Sequence, residues 1–467
     1  MESYPMSHLT DAPKGVDKLY FAAWRWHFYA GLYVAPFLIM LAVTGLIMVW
    51  VSSFNELNGE RTAAQASGPP VAVSVMAKAA AAAVPEGAVT KYIEPRAAGK
   101  VALFRVQAGD ASTAVLVDPS SGAVIEARAW GESWYSFAND IHGTLLIGDT
   151  GDRMIEIAAG FGIVLIVSGL YLWWPRNGEG LRAKLMPDLR ASGRAWWKSL
   201  HQSVGVWVAA LLLVFLVSGM SWTGIWGDKF VQAWNSFPGE KWGAPLSDKT
   251  HVSLNAAGEK EVPWALEQTP LPASGSLAGT AALPEGAKIN LDTITDYARS
   301  LGFNGRFQVN LPEGETGVWT ISHDSMSNDG PDPWGDRTLH LDQYTGKVLA
   351  DVRYADYTIY AKAMAWGIAF HEGDMGNWNL ALNTLFCLSI LFISASGLVM
   401  WWKRRPAAAG RLAAPPMPAE MPLWKGAAAL SLIIAMAFPL VGLSLIALLV
   451  LDVFIIQNLP LLRRILN

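Results

Sequence analysis

Cysteine is nearly missing from this 467-residue chain: the single Cys387 lies in an apolar stretch, which excludes a disulfide framework and a thiolate metal cage. Charge is scarce as well. Asp, Glu, Lys and Arg together make up 16% of the residues, well below the roughly one quarter usual in soluble domains. A net charge of −4 gives no footing for a nucleic acid. No P-loop occurs, and no G-x-G-x-x-G follows a strand and opens a helix. H-E-x-x-H and a nucleophile elbow with its triad are also missing. The chain therefore shows no nucleotide, flavin or nicotinamide site of its own, and no hydrolytic constellation.

What fills the space is hydrophobic: 52% apolar residues and 22 tryptophans, the composition of a membrane protein. Apolar runs at about 28–51, 154–174, 202–226, 379–402 and 426–456 each reach the ~20 residues that a bilayer core requires. The first is too long for a signal peptide and lacks a small-residue cleavage site, so it is expected to be an uncleaved anchor. Basic residues set the orientation. Arg176, Arg182, Lys184, Arg190, Arg194 and Lys198 fill one short loop, and Lys403, Arg404 and Arg405 open another. Both loops are expected in the cytoplasm.

The organisation that follows is a cytoplasmic tail (1–19), a first membrane segment (20–52) and an external domain (53–136). A second segment with a preceding short helix (137–176), a cytoplasmic loop (177–197) and a third segment (198–228) come next. Then follow a second external domain (229–362), a fourth segment with its own short helix (363–405), a loop (406–423), a fifth segment (424–457) and a tail (458–467). Pro439 interrupts the fifth apolar run, which reads equally as one kinked span or a short hairpin. The side on which Arg463 and Arg464 emerge depends on that choice.

The chain reads as a duplication. His27 and His201 both begin H-x-x-x-G, with Gly31 and Gly205, and both precede a second glycine, Gly45 and Gly219, by 18 residues. His142 and His371 precede Ser168-Gly169 and Ser396-Gly397 by 26 and 25 residues. Between these landmarks lie two small α+β modules. Residues 71–128 show a helix and strands near 89–94, 101–107, 113–118 and 123–127, with a turn Asp118-Pro-Ser-Ser-Gly122 before the last. Residues 288–353 show a helix near 291–301 and strands near 306–310, 317–322, 337–342 and 347–352, with the turn Asp342-Gln-Tyr-Thr-Gly346. Segments 54–70 and 235–287, rich in Pro, Gly, Ala and Ser, are expected to be linkers or irregular loops.

Ionisable ligand residues recurring at matched positions in an apolar bundle point to a function, and paired imidazoles between helices suit axial ligation of haem iron. His27 and His201 both start outward-running helices; His142 and His371 both precede inward-running ones. The expected pairs are therefore His27 with His201 and His142 with His371, holding two haems at two levels. Gly31 and Gly205 share a helix face with their histidines, and Gly45 and Gly219 lie about 27 Å further along it, where small residues leave room for a flat ring. Close helix approach explains the same glycines equally well. Arg153, Lys362, Arg25 and Lys198 are candidates to neutralise propionates, although interfacial cations mostly face headgroups. His8, His251, His323 and His340 are expected at the surface, with His323 and His340 also candidates to border a substrate site. Trp130, Trp134, Tyr135, Tyr354, Tyr357, Tyr360 and Trp366 form an aromatic belt or a face for a bulky substrate.

Trp26-His27-x-x-x-Gly31 with Thr44-Gly45, His142-Gly143 with Gly148, Gly151 and Arg153, and Ser168-Gly-Leu-Tyr-Leu-Trp-Trp-Pro175 resemble the PepSY-associated transmembrane helix family. The resemblance runs through Arg405. It implies an α-helical membrane bundle of four core helices plus the extra C-terminal segment, with two periplasmic PepSY-like α+β domains. It also implies a multi-pass protein of the bacterial inner membrane, with two b-type haems on His27, His142, His201 and His371. Some members are ferric-siderophore reductases, so the implied activity is reduction of a periplasmic Fe(III)-siderophore to release Fe(II), fed by a quinol or a cytoplasmic reductase. A non-redox regulator that binds a partner, and a permease for a metal chelate, are the alternatives, since a fold does not fix a function.

Overall fold

The computed structural model describes residues 18–55, 57–176, 180–256, 260–284, 286–327, 329–405, 412–415 and 425–451, and beyond these 454–455, 458–459, 461–462 and 466. In chain order its principal elements are α1 (Lys18–Asn55), α2 (Val73–Ala82), β1 (Ala88–Ile93), β2 (Ala102–Ala108), β3 (Ala111–Val117), β4 (Val124–Ala129), α3 (Trp134–Thr144), α4 (Asp149–Trp173), α5 (Leu181–Leu185) and α6 (Gly193–Met220). They continue with β5 (Leu246–Thr250), β6 (Pro270–Pro272), α7 (Leu291–Ser300), β7 (Gln308–Asn310), β8 (Val318–His323), β9 (Arg337–Asp342), β10 (Val348–Arg353), α8 (Ile359–Glu372), α9 (Asn377–Arg404), α10 (Lys425–Ala437) and α11 (Pro439–Leu451). The chain forms two compact units. One draws on residues up to Thr44, on His142–Asp228 and on residues from Thr384 onward; the other comprises Gly45–Ile141 and Lys229–Asn383.

The first unit holds α4, α6 and most of α1 and α9, which among the described residues are the four helices long and apolar enough to cross a bilayer. A helix satisfies its own backbone polar groups, so apolar runs of this length fold this way in lipid. Small residues bring the helices close: a Cβ at Gly162 of α4 would stand 2.9 Å from Leu216 of α6.

The fifth apolar segment takes the hairpin form of the two that its sequence allows. Its helices α10 and α11 have 13 residues each, about 20 Å of rise, short of the ~30 Å core. Pro439 has no N–H to continue the ladder. The Ala435 carbonyl comes within 2.9 Å of where a Cβ on Gly442 would stand, too close for a straight helix. The bend seats on α4, with Val441 filling the gap left by Gly160. Trp226 steadies it, donating from Nε1 to the Ala437 carbonyl at 2.7 Å and stacking on Phe438. On either side of the hairpin the chain touches the same stretch of α1: Arg25 donates to the Pro415 carbonyl and the Tyr29 hydroxyl to the Leu466 carbonyl, both at 2.7 Å. Arg463 and Arg464 lie outside the described residues.

In the second unit the two expected α+β modules join in one antiparallel sheet of eight strands, ordered β10-β9-β8-β7-β1-β2-β3-β4. The seam is β1 against β7, with Tyr92 opposite Val309. Modules this small are marginal alone. Joined, they share one core in which Met76 and Ala80 of α2 and Ile294 and Ala298 of α7 pack with Tyr92, Phe104, Phe307 and Val309. The turns match in detail. Asp118 Oδ1 accepts from the N–H groups of Ser120 and Ser121, and Asp342 Oδ1 from those of Tyr344 and Thr345. Each turn closes on a glycine, Gly122 or Gly346, at positive φ.

Of the two stretches expected to be linkers or irregular loops, 235–287 instead carries a two-stranded antiparallel sheet of β5 and β6, and both stretches are tightly held. Glu261 accepts from Lys91 Nζ of β1 at 2.6 Å. Arg306 is paired with Asp329 and, at 3.1 Å, with Glu60. All five side chains are buried. Charges so buried persist only when paired and hydrogen-bonded, so these contacts clamp the two stretches onto the sheet.

Candidate functional site

His27 of α1 and His201 of α6 come together, their ring centroids 6.5 Å apart and their planes at 88°. Each ring is gripped through Nδ1 by a serine from a neighbouring helix. Ser168 Oγ of α4 lies 2.9 Å from His27 Nδ1 and donates to the Val164 carbonyl at 2.6 Å. With its hydrogen committed, the hydroxyl accepts from Nδ1–H. His201 Nδ1 lies 2.9 Å from Ser396 Oγ of α9 and 3.1 Å from the Ile393 carbonyl. A carbonyl can only accept, so this Nδ1 also carries the hydrogen. Both imidazoles are thus held as the tautomer whose basic nitrogen is Nε2, the form a metal-binding histidine needs.

The glycine after each serine makes room for the ring. A Cβ on Gly169 would stand 3.1 Å from His27 Cε1, and one on Gly397 would stand 3.6 Å from His201 Cε1. The repeated Ser-Gly dipeptide therefore seats an imidazole against the facing helix. Sequence reasoning noted that dipeptide as a landmark and assigned it no role; its recurrence at matched distance from a histidine was the available signal.

Both histidines line a cavity of about 390 Å³ whose walls are mainly Leu, Ile, Val, Gly and aromatic side chains, a volume within the ordinary range for cofactor pockets. Gly31 and Gly205 line it too, and a Cβ on Gly205 would meet nothing within 4 Å. Gly45 and Gly219 are not among the lining residues. Half the separation of the rings is spanned by a metal–imidazole bond of about 2 Å plus the radius of the ring. The residues present therefore fit a metal-bearing flat macrocycle, which His27 and His201 would hold through their Nε2 atoms. Among the described residues no group of three or more His, Cys, Asp and Glu converges as a protein-only metal cage would. A porphyrin needs none, because it supplies its own four equatorial nitrogens.

His142, on α3, repeats the hydroxyl grip: its Nδ1 lies 2.8 Å from Thr44 Oγ1, which donates to the Met40 carbonyl at 2.8 Å. His371 is the penultimate residue of α8, in the second unit. The end of that helix is capped by Asn383, whose amide donates to the carbonyls of Phe370 and His371 at 2.7 and 3.1 Å. Of the cations expected near a bound anion, Lys198 lines the cavity; Arg25 is turned to Pro415, and Arg153 is paired with Asp152. Arg194 and Arg404 line it as well. Sequence reasoning missed both in this role because a cytoplasmic basic cluster already accounted for them.

Two of the other histidines correct the surface expectation. His251 and His340 are fully buried, with Nε2 atoms 3.0 Å apart. His340 projects from β9 beside Thr320 of β8, and the burial follows from the fold of 235–272 over that face. His323 is partly buried, its Nδ1 on the Arg306 carbonyl. His8 lies outside the described residues. Of the aromatic residues singled out in the sequence, Tyr354 and Trp366 each pack edge-on to Trp334.

One family model, described as the PepSY-associated TM region, matches residues 24–404. Comparison with curated proteins gives no match.

Proposed function

The chain belongs to the PepSY-associated transmembrane family, and from that premise we propose a b-type di-haem cytochrome of the bacterial inner membrane that reduces a periplasmic ferric siderophore and releases Fe(II). One observation carries the reading: His27 and His201 face each other across an apolar cavity, each with Nδ1 tied back by a serine.

When bound, haem supplies reversible one-electron chemistry at iron. The chain's own residues do the rest. His27 and His201 give two neutral nitrogens; Ser168 and Ser396 fix their direction; the apolar lining excludes water. The matched turns at Asp118 and Asp342, the four-plus-four sheet and the repeated Ser-Gly support an internal duplication. That duplication in turn supports His142 and His371 as the second pair, with Thr44 already playing the serine's part for His142. The basic loops support a cytoplasmic side at the His27 end, with the donor, a quinol or a reductase, on that side. Electron delivery to Fe(III) lowers the hold of a hard-oxygen chelate on iron, so no acid or base catalyst is required.

The visible spectrum of the purified full chain tests this. A Soret band that sharpens with dithionite is expected, with two haems per chain. His27→Ala and His371→Ala should each leave one haem and abolish reduction of a ferric hydroxamate by reconstituted vesicles. A colourless protein would reject the proposal and leave a partner-binding regulator or a chelate permease.

A further inference from the structure

The lining of the His27–His201 cavity is mainly apolar and includes three cations, Arg194, Lys198 and Arg404, with no acid among the lining residues. Arg404 is the most constrained. Its guanidinium lies over the rings of Trp24 and Phe28, at 5.1 and 5.0 Å, the aromatic residues that flank His27 on α1. Its Nε is buried without a hydrogen-bond partner among the described residues, and Arg194 is near enough to repel it. A buried donor of a charged group left unmatched is costly, and like charges at an apolar wall add to that cost. An anion seated among the three removes both penalties.

We infer that Arg404, with Arg194 and Lys198 beside it, anchors the carboxylates of the macrocycle held by His27 and His201. The ligand is then oriented, with its acidic edge toward Trp24 and its apolar body toward Gly31 and Gly205. The inference rests on the haem reading above and adds to it which edge of the ring faces which end of the bundle. Guanidinium suits the task because its fixed fork matches a carboxylate. A lipid phosphate offers the same anionic oxygens and is the competing source.

The test compares haem with its dimethyl ester, in which both carboxylates are capped, on full chain produced under haem depletion and placed in nanodiscs. Uptake and dissociation are followed by the Soret band. Wild type should hold haem roughly tenfold or more tightly than the ester, the scale of one charge-assisted hydrogen bond. Arg404→Ala should bind both equally weakly, and Arg404→Lys should restore part of the preference, with helix content by circular dichroism unchanged in both. If Arg404→Ala keeps the wild-type preference while losing co-purified phospholipid, the anion is a lipid phosphate and the inference fails. It also fails if wild type binds haem but does not discriminate. Wild type that takes up neither compound sinks the haem reading itself, and this inference with it.

Discussion

Ser168 Oγ stands 2.9 Å from His27 Nδ1 and spends its own hydrogen on the Val164 carbonyl, so the serine acts on the imidazole as an acceptor. The equivalent His201 Nδ1 meets Ser396 Oγ and the Ile393 carbonyl, and the Leu165 carbonyl, likewise three residues before its serine, backs His27. The two sites should therefore respond alike. On the haem reading, Ser168→Ala and Ser396→Ala each remove a side-chain orienter and leave a carbonyl, so each is expected to weaken haem retention by about 10-fold, the low end of the usual scale for an outer partner of a metal-binding histidine. Transfer of haem to excess apo-globin measures both; unchanged retention in either would reject the orienting role.

The glycines next to those serines do predict a contrast. A methyl group on Gly169 would lie 3.1 Å from His27 Cε1, tight enough to push the ring, while one on Gly397 would lie 3.6 Å from His201 Cε1, an ordinary contact. Gly169→Ala should broaden the low-spin signals in electron paramagnetic resonance and speed haem loss. Gly397→Ala should leave both near wild type.

Local patterning made much of this molecule readable, and long-range pairing hid the rest. The strands expected near 101–107 and 337–342 form at Ala102–Ala108 and Arg337–Asp342, because alternation and the Asp-to-Gly turns are short-range signals. The seam between β1 and β7 was out of reach, since it joins residues more than 200 positions apart whose pattern would suit any edge. His251 falls in a Pro- and Gly-rich stretch without periodicity, so nothing local announced that it would be buried against His340. Ser168 and Ser396 were visible as a repeat, but their meaning required the facing helix.

The His251–His340 contact gives a pH dependence. His251 Nδ1 donates to the Thr269 carbonyl at 2.7 Å, so its Nε2 must accept from His340 Nε2–H, and His340 Nδ1 accepts from Thr320. With both rings neutral every nitrogen is matched, and a proton added to either would place a charge at a fully buried site. Burial holds His251 down to about 4. Burial, together with His251 beside it, holds His340 well below the ordinary 6.5. Between pH 6.5 and 4 the unfolded chain binds protons that the native one refuses, so stability is full above 6.5 and declines as pH falls. For His251 alone this reaches roughly 3 kcal/mol at full protonation. Near-UV circular dichroism of the full chain on heating should show a midpoint that drops between pH 7 and 5. His340→Gln should flatten that drop; an unchanged slope would reject the assignment.

The hairpin of α10 and α11 predicts where the C-terminus emerges. A kinked span would carry the chain across the bilayer, but Pro415 before the segment and Leu466 after it both bond within four residues of each other on α1, to Arg25 and Tyr29. A reporter fused after Asn467 should therefore fall on the same side as one fused before Met1. Fluorescent-protein and alkaline-phosphatase fusions read this directly, and opposite sides for the two ends would refute the hairpin. Gly160→Leu supplies the mechanical check. Gly160 leaves the gap that Val441 fills, so a leucine there should displace the bend from α4 and loosen the hold of Trp226 on Ala437. Protease accessibility of residues 425–451 should then rise in the variant, while occupancy of the His27–His201 site on α1 and α6 stays at the wild-type level.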